Sequence, residues 1–378
     1  PTQVDRVDYS NDTAQASPRG NLSTQMNYAA ATGSRDYGYY SGGKDPFPGA
    51  VMSTVERIDY SNDSAASSPK GPLANALTNR GSTFSSRANA LQGLPRRFRF
   101  YDNVPAPRGY FAGGFNNNTD GNPWYYYSTV ERYNFDNDTS TAQPKANLPF
   151  TGSIDLAGIA TPDFSYFMAG TISARPYPLS YLSYAERLDH SNDTLVRRGS
   201  MNPTRRVSVT GNSNYGYLSG DIYPGDPSSY TRLTSIIRFD FSNDDTYHSP
   251  TAAISAVSPP TVRAAVSSPA YGYYGGGYIS SSSSTFVERI DFSNDTANLV
   301  AKGSLSEARQ SLGATGTSAY GYFAGGNFNP GGTYRTTVDR LDYSNDTADL
   351  VAKGPLTFVK KEFGASSSDS YAYFGGGY

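Results

Sequence analysis

The sequence predicts an all-β protein, a seven-bladed propeller of four-stranded antiparallel blades, and three observations carry that prediction. First, a phrase of apolar residue, usual acid, arginine, one further residue, Asp or Asn, and an aromatic or His recurs, with its arginines at Arg6, Arg57, Arg132, Arg187, Arg238, Arg289 and Arg340. Second, a run of aromatics ending in glycines alternates with it, as in Tyr37-Gly38-Tyr39-Tyr40-Ser41-Gly42-Gly43 and again from Tyr371 to Gly377. Third, the chain opens on the arginine phrase and closes on the glycine phrase. The unit is about 50 residues long, with an insertion of roughly 24 between Arg57 and Arg132, and such a period marks stacked supersecondary units.

The unit from Arg309 to Leu356 shows the elements in order. Gln310 to Gly316 is short and moderately apolar, Tyr320 to Ala324 is aromatic and extended, Thr336 to Tyr343 mixes Val338 and Leu341 with polar neighbours, and Ala348 to Ala352 is a last short strand before Lys353-Gly354-Pro355. Gly, Asn, Asp and Pro punctuate these segments, so all four read as strands. A helix is excluded because glycine pairs and β-branched or aromatic residues interrupt every candidate stretch. The glycines ending the second strand are expected where blades crowd near the axis and a Cβ would not fit.

Closure separates a propeller from an open solenoid. Residues 3 to 17 supply a third and fourth strand with no partners ahead of them, and residues 363 to 376 supply a first and second strand with nothing after. Together they complete one blade, with Val4-Asp5-Arg6-Val7 beside Tyr371-Ala372-Tyr373-Phe374, and remove two free sheet edges.

Composition fits one body over 1–378, with loop insertions around 82–107, 115–127 and 175–184. Hydrophobic residues make up only 37%, but Tyr 32 and Phe 19 supply large faces for thin sheets to bury. The net charge is −2 and the strongest basic cluster is Arg96-Arg97-Phe98-Arg99, which argues against nucleic acid as a partner. Cysteine is absent, so packing and closure must supply stability. No apolar run approaches the roughly 18 residues that a membrane helix needs, so no membrane insertion is expected.

The order of Arg309, Tyr322, Gly325-Gly326, Asp342 and Tyr343 resembles the kelch family of β-propellers, and the likeness runs through all seven units. The tryptophan usual in the fourth strand of that family is missing; Leu299 and Leu350 lie near its place, and Trp124, the sole tryptophan, is in a loop. The chain is therefore read as a divergent kelch-like propeller. The Tyr-Ser-Asn-Asp-Thr form of the turn is also similar to kelch-like repeat proteins of tailed-phage virions, of the cyanophage type. That resemblance implies a non-enzymatic virion structural or accessory protein, on the tail or exterior surface, present in multiple copies and contacting other virion proteins or a host-surface glycan. The alternative is a soluble or secreted carbohydrate-binding lectin, and a glycan-processing enzyme is a third reading.

Strand alternation places Arg6 and Asp8 on one face, and the same pairing recurs at Arg57/Asp59, Arg187/Asp189, Arg238/Asp240, Arg289/Asp291 and Arg340/Asp342, with Arg132 in the remaining copy. These are expected to be structural, each arginine reaching a carboxylate or carbonyl of the next sheet. A ring binding an anionic glycan is the alternative. Repetition in every blade favours structure, because binding sites break repetition. The Ser, Asn, Asp and Thr that follow are expected to cap a hairpin, with no metal. His190 and His248 sit at unrelated repeat positions and no catalytic triad assembles, so neither an enzyme nor a cofactor is expected.

Function on a repetitive scaffold is sought where repetition breaks. Arg96, Arg97 and Arg99, with Trp124, Tyr125, Tyr126 and Tyr127, are the expected binding surface, the arginines for an anionic or protein contact and the aromatics as apolar anchors.

Overall fold

Seven antiparallel sheets, most of them four-stranded, follow one another around an axis, and each takes its strands in the order that the two phrases encode. The computed structural model describes residues 2–377 except 35, 46–48, 77–81, 86–107, 117–124, 150–152, 155, 173–179, 202, 223–230, 233–234, 245–249, 254–259, 280 and 369. Counting from the N-terminus, blades one to six have their third strands at Val55–Asp59, Thr129–Asn134, Tyr184–Asp189, Ser235–Asp240, Val287–Asp291 and Val338–Asp342. Blade seven is the composite. Val4 pairs with Gly375, Arg6 with Tyr373 and Asp8 with Tyr371, while Ser17–Arg19 and Gly364–Ser367 complete the sheet from its two sides. The closure expected from the offset phrases is present, with the two terminal strands adjacent in one sheet.

The first strands line the axis. Ala30–Gly33, Ser82–Ser85, Ala157–Ala160, Thr204–Gly211, Ala264–Ser267, Gly313–Gly316 and Gly364–Ser367 each neighbour the first strands of the blades on either side. Small residues dominate because strands converging on one axis leave little room; a Cβ on Gly364 would press into the Ala31 methyl. The first strands, and not only the second strand as the glycine phrase suggested, are therefore crowded at the axis. The glycine pair has another cause. Gly325 and Gly326 have φ of 57° and 92°, and Cβ atoms there would stand 2.6 Å from the Lys360 carbonyl and 2.5 Å from that of Gln310.

Apolar side chains pack between blades rather than inside them. One core joins Val7, Ala372 and Phe374 of blade seven to Tyr322, Ala324 and Val338 of blade six. The first four residues of the expected 82–107 insertion are the first strand of blade two, so the departure begins after Ser85. In the expected 115–127 loop, Phe115–Asn116 pairs with Tyr125–Tyr126 as a short hairpin. Equivalent hairpins, Tyr278–Ile279 with Ser282–Ser283 and Asn327–Phe328 with Thr333–Tyr334, extend blades five and six. All spring from the connection between second and third strands, which defines a hairpin face. Turns between third and fourth strands define the opposite, turn face.

Candidate functional site

On the turn face one network occurs at every blade boundary. Arg6 donates to Asp63 at 2.9 Å, Arg57 to Asp138 at 2.5 Å, Arg187 to Asp244 at 2.6 Å, Arg238 to Asp295 at 2.9 Å, Arg289 to Asp346 at 2.8 Å and Arg340 to Asp12 at 2.8 Å; Arg132 bonds Asp193 in the same way. Each arginine belongs to one blade and each aspartate to the turn of the next, so the circuit closes through Asp12. The second aromatic strand adds a hydroxyl: Tyr373, Tyr39, Tyr110, Tyr217, Tyr273 and Tyr322 donate to the same carboxylates. A second cation joins from the end of the fourth strand, as Lys302 to Asp346 at 2.9 Å and Lys353 to Asp12 at 3.1 Å. The glycine after each of these lysines donates its N–H to the backbone carbonyl of that aspartate. The recurring Lys-Gly or Arg-Gly dipeptide was the sequence signal for this last contact.

The aspartates that share a strand face with the arginines do something else. Asp8, Asp59, Asp189, Asp240, Asp291 and Asp342 each accept from the N–H and hydroxyl of the serine two residues on, capping their own turn. The Ser10 hydroxyl is the main cause that holds the Asp8 carboxyl below its ordinary value. The aromatic that closes the phrase stacks on the tyrosine of the preceding blade, as Tyr60 on Tyr373 at 4.7 Å and Tyr343 on Tyr273 at 5.1 Å.

His190 fills that stacking position, 5.3 Å from the Tyr110 ring. Its Nε2 lies 2.6 Å from the Ser165 hydroxyl and its Nδ1 2.9 Å from the Pro162 carbonyl. The carbonyl makes Nδ1 the protonated nitrogen, so Nε2 accepts from Ser165. A serine bonded to a histidine has the outline of a nucleophile and its base, but Ser165 is 0% exposed and faces protein on every side. Desolvation lowers the His190 pKa and keeps the ring neutral.

The hairpin face has no such uniformity. Two residues before the first strands of four blades, Tyr28, Val262, Ser311 and Glu362, and at the bulge within the first strand of blade four, Arg206, have φ between 50° and 60°, the left-handed region that glycine favours. The cause is a bulge: Asn27, Thr261 and Gln310 pair with Lys44, Tyr278 and Asn327 of the hairpin segments, and the next residue must turn back to start the strand. Because the first strands surround the axis, these five residues lie around it at the hairpin face. An aromatic, a cation, an aliphatic, a hydroxyl and an acid thus occupy one repeat position. Beside them on blade six, Arg335 pairs with Glu307 at 3.0 Å, its guanidinium carbon 5.7 Å above the Phe328 ring, and Lys361 stands 5.1 Å over Tyr334. Arg335 and Glu307 are 31% and 32% exposed, open to a ligand. Half-exposed rings beside a forked donor and a carboxylate suit a ligand with both apolar faces and hydroxyls.

Of the surface expected from sequence, Arg96, Arg97, Arg99 and Trp124 lie outside the described residues. Tyr125 and Tyr126 form one strand of a short hairpin, and Tyr127 packs half-buried against a core containing Tyr39, Phe111 and Tyr133. The segment carrying the arginines leaves Ser85 and returns at Arg108 on the turn-face edge, whereas that carrying Trp124 leaves Asn116 and returns at Tyr125 on the hairpin-face edge. The two halves of that surface spring from opposite edges of one blade. Among the described residues, no group of His, Asp and Glu gathers to hold a metal ion, and no helix is long and apolar enough to cross a membrane.

No family model and no curated protein sequence matches the chain. Among solved structures it is similar to one described as "Structure of YjhT", with a TM-score of 0.63 and 12% identity over 89% of this chain and 99% of that one. At that identity the likeness shows the seven-bladed propeller fold. YjhT is a bacterial protein and not a phage one, which overturns the virion and phage-tail description drawn from the style of the turn. Turn chemistry serves blade closure in any propeller of this kind, so it does not report the particle on which a propeller sits.

Proposed function

We propose that the chain is a non-enzymatic, lectin-type propeller that binds carbohydrate on its hairpin face around the axis. The observation that carries this reading is the ring of Tyr28, Arg206, Val262, Ser311 and Glu362, five different side chains kept in left-handed backbone where glycine would be unstrained. Such strain costs about 1–3 kcal/mol per residue and clusters at ligand sites. Sugars present both the apolar ring faces that Tyr28, Phe328 and Tyr334 would stack against and the paired hydroxyls that Arg335 and Glu307 would bond. A glycan array probed with the intact protein tests the reading, followed by titration of the best hit against Tyr334→Ala. Saturable binding weakened at least tenfold by that substitution supports it. An array without hits, or a hit indifferent to Tyr334, Arg335 and Tyr28 alike, overturns it.

A further inference from the structure

Beneath the hairpin face, in four blades the acid preceding the phrase arginine is buried and accepts from the segment that leads into its own blade. Asp5 accepts from Thr357 and pairs with Lys360 at 3.1 Å; Glu56 accepts from Ser23; Glu131 accepts from the Ala74 N–H at 2.7 Å; Asp339 accepts from the Ser306 N–H at 3.2 Å. In each lead-in the donor directly follows a leucine, and those leucines hold one register: Leu22, Leu73, Leu305 and Leu356 donate to Thr2, Ser53, Thr285 and Thr336. Leu148 donates to Ser128 in the same register, but the residue after it is Pro149, which has no N–H and no hydroxyl.

The acid left without its donor is Glu186, 2% exposed, with no hydrogen bond to Oε1. Among the described residues the ionisable groups facing it are Arg197 on the fourth strand, whose Nε approaches only to 3.5 Å, and Tyr184 on its own strand, whose ring lies 3.7 Å beneath the Arg197 guanidinium. Phe167 of the second strand is its cross-strand partner, and the lead-in presents Leu148 and Pro149. We infer that Glu186 is a proton-binding site, created by Pro149, whose protonation governs how firmly the third blade is held together. An ionised carboxylate here is desolvated with only the distant Arg197 guanidinium to offset it, whereas the neutral acid carries no such cost.

Desolvation, opposed by Arg197, pushes the Glu186 carboxyl up to about 7 from 4.5. That displacement makes the folded protein bind this proton roughly 300-fold more tightly than the unfolded chain. The folded value is the higher one, so the contribution to stability is full below about pH 4.5 and is lost as pH rises through about 7. This inference does not depend on carbohydrate binding.

Thermal unfolding of the intact protein between pH 5 and pH 8 provides the test, comparing the unaltered chain with Glu186→Gln and Pro149→Ser. The unaltered chain should lose several degrees of Tm across that range beyond what Glu186→Gln loses, and Pro149→Ser, which restores both donors, should remove most of the excess. Identical pH slopes for all three would overturn the inference. Should Glu186→Gln fail to fold, Pro149→Ser decides alone: a reduced slope supports the site and an unchanged one refutes it.

Discussion

The turn face and the hairpin face are made by the same seven sheets, yet they solve different problems. At the turn face each blade boundary carries the same arginine and aspartate, and Asp12 serves blade seven as Asp346 serves blade six. At the hairpin face one repeat position holds Tyr28, Arg206, Val262, Ser311 and Glu362. A boundary contact must be compatible with its two neighbours, so drift at any one site opens the ring. Among the described residues, the position around the hairpin-face end of the axis has no partner that recurs from blade to blade, so it is free to vary. Uniformity therefore marks the closure machinery and variety marks the candidate site.

Substitutions at the two faces should separate these roles. Asp12→Ala leaves Arg340, Lys353 and Tyr322 without their shared acceptor at the last seam. It should cost about 4 kcal/mol, since removing one member of a buried pair strands the others, with glycan binding lost only as the fold is lost; urea unfolding reads the effect. Gly354→Ala at the same seam forces a methyl into the Ala14 carbonyl. A loss of about 2 kcal/mol is expected from such overpacking, and a neutral result would show that the seam can shift.

Acid should attack the turn face. Desolvation pushes the Asp346 carboxyl up, but bonds from Lys302, Tyr273 and Arg289 outweigh it and hold the group below its ordinary 3.8. A depressed folded value means that its stabilisation is present above about pH 3.8 and is lost as pH falls below it. Asp346→Asn should accordingly be less stable than the unaltered chain at pH 6 and much closer to it at pH 3, in urea titrations at both values.

The smaller effects lie on the hairpin face and should reverse the relation between stability and function. Ser311→Gly releases a left-handed residue with φ of 55° and should raise stability by about 1 kcal/mol, while weakening glycan binding. Arg335→Ala removes a half-exposed pair with Glu307 and should change stability by less than about 1 kcal/mol. Calorimetric titration with the glycan should nevertheless show roughly tenfold weaker binding, the scale of one charge-assisted hydrogen bond. Equal losses of stability and binding in both variants would erase the contrast between the faces.

The alternating phrases and their offset at the two termini were enough to determine the seven blades, the strand order and the shared seventh blade. Each is a property of spacing, and a strand's period of two survives in sequence however the chain folds. The arginine of each phrase was legible as a boundary residue for the same reason. An acceptor on the next sheet was expected as well, but which one was not legible, because Asp63 lies in a turn of the following unit. Only tertiary structure brings those two together. The left-handed ring was hidden too, since Tyr28, Arg206, Val262, Ser311 and Glu362 share no residue type; what they share is a left-handed backbone, which for Tyr28, Val262 and Ser311 follows from pairing with the hairpin segments. Pro149 and Glu186 lie far apart in sequence, and their relation emerges only when the register of Leu148 against Ser128 aligns the third blade with the others. Local patterning dictated the sheets; contacts between blades, which sequence spacing does not encode, decided where the chemistry sits.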